Sequence, residues 1–106
     1  MNITELKTWA IEKNIDQKTK TLFIKMIENY MEEYTEEYCE CFGNIPINDL
    51  YLDVHTVSLN LGNWPECNYN TISASMRIQY MSKDIANYKV MFTLDGEPED
   101  DFFDVF

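Results

Sequence analysis

Glycine and proline are scarce in this chain of 106 residues, with three of each. That scarcity excludes a loop-dominated or low-complexity polypeptide. Cysteine is nearly as rare: Cys39, Cys41 and Cys67 are an odd number with no framework spacing, so free thiols in a reducing setting are expected. No run of about 18 apolar residues exists to span a membrane, and Asn2, Glu5 and Lys7 interrupt any apolar leader at the start. A cytoplasmic location is the expectation.

Positive charge is the most telling shortage. Eight Lys and Arg stand against 19 Asp and Glu, for a formal net charge of −11. Such a chain repels nucleic-acid phosphate and anionic membrane. Direct nucleic-acid binding and membrane binding are therefore not expected, and a basic protein is the complementary partner.

The chemistry of catalysis is thinly supplied. The one histidine, His55, lies inside a strand pattern, where a structural role is the ordinary one. Cys39-Glu40-Cys41 is a C-x-C step, not the spacing of zinc sites. Two residues apart on a helix point about 200° from each other. Gly43, Gly62 and Gly96 are isolated, so no loop cradles a phosphate. Asp53 is the one acid inside a predicted apolar element and takes no catalytic role here. No cofactor, metal or catalytic residue is assigned, and the chain reads as a binding protein, not an enzyme.

What is present is a core. Apolar residues make up 45% and aromatics 14% of the chain, enough to reject disorder. Asn2 and Glu5 stand at capping-box spacing before a helix over about 3–13, whose Leu6, Trp9 and Ala10 share a face. Asn14 or Asp16 caps the next. Leu22, Phe23, Met26, Ile27, Tyr30, Tyr34, Tyr38 and Phe42 then step by three and four. Gly43 and Pro46 stop that stripe. One continuous helix over about 16–42 is predicted, roughly 39 Å long.

After Pro46 the period becomes two. Ile72, Ala74, Met76, Ile78 and Tyr80 alternate with polar residues, as do Ala86, Tyr88, Val90, Phe92 and Leu94, with Met91 out of phase. The short segment between predicts a hairpin. Over 50–61 the apolar parity flips between Val54 and Val57, which predicts a bulge near His55-Thr56. The expectation is a single α+β domain over 1–106. Two N-terminal helices, the second long, pack on a three- to four-stranded antiparallel meander with strands about 50–61, 70–81 and 85–95. Residues 99–106 fit an edge strand, a turn or a tail.

Charge is unevenly placed. Residues 1–25 carry five Lys and three acids, Glu28 to Asp53 eight acids and no base, and Asp95 to Asp104 six acids and no base. On one helix Glu28, Glu32, Glu36 and Glu40 form a row of like charges, with Glu33 and Glu37 in a second. Each like pair costs a few tenths of a kcal/mol, and the row runs toward the end where the macrodipole disfavours anions. Local rules fail most often at functional sites. The functional expectation is an acidic helix face that neutralises a basic toxin, nuclease or other nucleic-acid enzyme, with Tyr34, Tyr38 and Trp64 as anchors. Asp100, Asp101, Phe102 and Phe103 form a second candidate contact. The class analogy is to immunity proteins and phage-encoded inhibitors; the bland reading is a solvated face. Two alternatives stand beside these: self-association through a sheet edge or the Phe-rich C-terminus, giving a homodimer, and a ligand pocket between helix and sheet.

Overall fold

In the computed structural model, three α-helices precede a four-stranded antiparallel sheet. The structure describes residues 1–43 and 45–106, the side chains of Cys41 and Phe42 excepted. Helix α1 is Ile3–Glu12, α2 Ile15–Glu33 and α3 Thr35–Phe42, followed by a 3₁₀ turn, Ile47–Asp49. Strands β1 (Tyr51–Gly62), β2 (Tyr69–Tyr80), β3 (Lys83–Phe92) and β4 (Pro98–Val105) lie in sheet order β1-β2-β3-β4. The predicted α+β meander is the observed one, and the C-terminal segment is its fourth strand.

Asn2 caps α1, its Oδ1 accepting the Glu5 N–H at 2.8 Å. That removes one of the unsatisfied donors of the first turn. At the start of α2, Asn14 holds the cap position at φ 56° with no side-chain capping bond. The predicted long helix is corrected at Tyr34, whose φ −132° and ψ 53° separate α2 from α3. Thr35 gives the local reason. Its hydroxyl donates to the Met31 carbonyl at 2.7 Å, a back-bond that bends helices. An acidic run without a single lysine adds like-charge repulsion on both sides of the break.

The core lies between α2 and one sheet face. Ile15, Phe23 and Ile27 of α2 are buried against Ala74, Met76, Ile78, Ala86, Tyr88 and Val90. Phe23 tilts against Tyr88 and Phe103, with ring centroids 5.5 and 5.9 Å away. Tyr30 is half-buried, while Tyr34, a member of the predicted apolar stripe, is exposed where α2 has ended. Phe42, the last member of the predicted stripe, and Cys41 lie outside the described side chains.

The register of β1 on β2 shifts between Val54 and Thr56, where the parity flip predicted a bulge. The extra residue returns Leu52, Val54, Val57 and Leu59 to the face of Ile78, Met76, Ala74 and Ile72, their direct partners. Gly62 is the last residue of β1, and a side chain there would strike the Tyr69 carbonyl across the pair. Two N-terminal donors fasten the turn between β3 and β4. Trp9 Nε1 donates to Leu94 O at 2.8 Å, and Lys18 Nζ to Gly96 O at 2.9 Å.

Candidate functional site

All six predicted glutamates, Glu28, Glu32, Glu33, Glu36, Glu37 and Glu40, are exposed. The break at Tyr34 divides them, with Glu28, Glu32 and Glu33 on α2 and the other three on α3. The predicted unbroken row is thus two shorter acidic faces that change direction at Tyr34. Among the described residues the ion pairs are Lys20–Asp16 at 2.9 Å, Arg77–Asp53 at 3.9 Å and Arg77–Asp84 at 3.7 Å. None engages a glutamate of α2 or α3. A neutral donor reaches one of the six: Tyr30 Oη donates to Glu37 Oε2 at 3.3 Å.

The three predicted anchors separate. Tyr34 is 53% exposed, its ring 5.8 Å from that of Tyr30. Trp64 is 75% exposed in the loop after β1. Tyr38 is corrected: it is buried in the core, and its hydroxyl donates to the Ile45 carbonyl at 3.5 Å. The apolar helix period could not distinguish the two tyrosines.

The second candidate segment is the edge strand β4. Alternation splits it between the two sheet faces. Asp101 and Phe103 pair with Val90 and Tyr88 on the helix side, while Asp100, Phe102 and Asp104 pair with Met91, Lys89 and Asn87 on the other. Phe103 is therefore partly buried and packs against the core. Phe102 is half exposed, with the Lys89 ammonium 5.3 Å from its ring centroid. Glu99 and Asp104, which the sequence reading did not single out, stand on the same strand and are exposed. Their signal was the base-free acidic run; what composition could not give was the strand that lines them up.

Tyrosines satisfy part of this edge. Tyr88 Oη donates to Asp101 Oδ2, and Tyr69 Oη to Glu99 Oε2, both at 2.7 Å. Burial first, then the bond to Asp101 and its charge, push the Tyr88 hydroxyl well above its ordinary ionisation range. The hydrogen bond to Glu99 is the main cause of the smaller rise at Tyr69.

Outside these surfaces, His55 is exposed, its Nδ1 2.8 Å from Thr56 Oγ1 and its Nε2 3.5 Å from Asn87 Oδ1. Cys39 is exposed and Cys67 half-buried, both free. Among the described residues no group of three His, Cys, Asp or Glu is placed to hold a metal ion. No helix of the described residues is long and apolar enough to cross a membrane. Comparisons with protein-family models, with curated proteins and with solved structures gave no match.

Proposed function

We propose that the protein is a non-enzymatic acidic binding protein that neutralises a basic partner, in the manner of an inhibitor or immunity protein. One observation carries the reading. The chain exposes six glutamates on α2 and α3 without giving any of them a cation from the described residues. Glu28 and Glu32 on α2, and Glu36 and Glu40 on α3, are like-charge pairs four residues apart. Glu32 and Glu33 meet the negative end of the α2 dipole, whereas Glu36 and Glu37 sit in the favourable first turn of α3. The like-charge repulsion and the dipole penalty on α2 are relieved when a positively charged surface docks.

The acids steer the partner, because complementary potentials raise the association rate more than they raise the final affinity. Tyr34, beside the break, is the aromatic best placed to be desolvated at the centre of such a contact. Trp64 is a second. The acidic edge of β4 supplies another negative surface, with Asp100 and Asp104 beside Phe102.

The test is a titration with an oligolysine peptide and with a basic globular protein, followed by intrinsic tryptophan fluorescence and calorimetry. A variant with all six glutamates changed to Gln is predicted to lose binding by at least tenfold while keeping its circular dichroism. Equal binding of both cationic probes by the wild type and the Gln variant refutes the role of this face.

A further inference from the structure

We infer that the outer edge of β1 pairs with the same edge of a second copy of this chain across a two-fold axis. The two free edges of the sheet are β1 and β4, and they are guarded differently. β4 carries Glu99, Asp100, Asp101 and Asp104, so two β4 edges repel each other. β1 carries a single charge, Asp53, held by Arg77 at 3.9 Å. Its one guard is the bulge between Val54 and Thr56. Beyond that bulge, Thr56–Gly62 pairs regularly with β2 and contains no charged residue and no proline. That half-edge is roughly 23 Å long at 3.3 Å per residue. In a chain of net charge −11, two copies approach best along an edge segment free of acids.

The side chains beside this edge complement themselves. A cavity of about 600 Å³ lies between α1 and β1, lined mainly by Ile3, Leu6, Ala10, Ile11, Val54 and Val57. Ile3 and Ile11 are 88% and 69% exposed. Leu61, on the helix-side face of the same strand, is 51% exposed. An antiparallel pair with its two-fold at Leu59 sets Leu61 of one copy directly opposite Val57 of the other. Directly opposed side chains lie about 5 Å apart. The exposed leucine of each copy then enters the other's open apolar groove, as an isologous interface requires. Lys7 and Asp16, also lining the groove, are of opposite sign, so two identical seams meet without net charge there. A stable dimer needs roughly 800 Å² per partner. The strand edge alone falls short of that, so the filled groove is an integral part of the contact.

Sedimentation equilibrium over a range of concentrations tests this. The wild type is predicted to run at about twice its 12.6 kDa chain mass. Leu61→Lys and Ile11→Glu, both at exposed positions, are predicted to run as monomers with unchanged circular dichroism. Phe102→Lys, on the opposite edge, is predicted to leave the dimer intact. Should Leu61→Lys unfold the chain, Ile11→Glu alone decides the question. A wild type that is monomeric at every concentration, a dimer that survives both groove variants, or one that Phe102→Lys dissociates overturns the assignment. None of these outcomes depends on the binding of a basic partner.

Discussion

Tyrosine hydroxyls stand where lysines are missing. Tyr30, Tyr69 and Tyr88 donate to Glu37, Glu99 and Asp101 respectively. A neutral donor satisfies a carboxylate oxygen without cancelling its charge, so the surface stays negative while its side chains are held in place. Tyr88 is the buried member of the three. Its phenol ionises at higher pH in the folded chain than the ordinary value of 10.0. The folded state therefore keeps a proton that the unfolded state gives up. This contribution is complete below about pH 10 and is lost as pH climbs above it. Alkaline unfolding followed by tyrosinate absorbance is predicted to show one tyrosine that ionises only as the fold collapses. Tyr88→Phe is predicted to remove that late ionisation and to cost about 1.5 kcal/mol of stability for the lost charge-assisted bond. If all seven tyrosines titrate together in the native protein, the Tyr88–Asp101 bond does not hold in solution.

The elements show how far local sequence reaches. Alternation placed three strands, and the parity flip placed the bulge, because each depends on which neighbours point to the same side. The break at Tyr34 was hidden. Thr35 and the acids beside it are individually acceptable in a helix, and the 3.6-residue stripe continues through them. Only the tertiary fold chooses between a straight helix and one broken at Tyr34. The fourth strand was left open, as an edge strand, a turn or a tail, for another reason. Acids and phenylalanines share both of its faces, so no polarity alternation marked it. The β2–β3 hairpin was foreseen, but its loop is only Met81-Ser82, at φ 51° and 65°. Both are left-handed, as the tightest hairpin turn requires, and Asn-Gly is the pair suited to it. Met81 is largely exposed, so its side chain gives little packing in return. Met81→Asn with Ser82→Gly is predicted to stabilise the protein by about 1 kcal/mol, read as a higher urea midpoint with an unchanged slope. A lower midpoint contradicts the turn assigned here.

At the scale of the molecule, the charge is sorted. Lysines gather in the first 25 residues, and the acids gather on α2, α3 and β4. The sequence made this sorting legible because counting along a chain needs no structure. It left illegible which of the candidate aromatics stay at the surface: Tyr34 and Trp64 do, whereas Tyr38 is buried and Phe103 packs partly buried against the core. The open groove between α1 and β1 was equally invisible, since Ile3, Ile11 and Leu61 fit ordinary helix and strand patterns. Surface acids that exist to meet a cation declare themselves through ionic strength, because exposed charges are screened over about 8 Å at physiological salt. The most direct measurement is therefore the stopped-flow association rate with a basic globular protein from low to high salt. The account predicts a steep fall as salt rises, and a slow, nearly salt-independent rate for the variant with all six glutamates changed to Gln. A wild-type rate that is flat across salt, or one that the Gln variant reproduces, contradicts it.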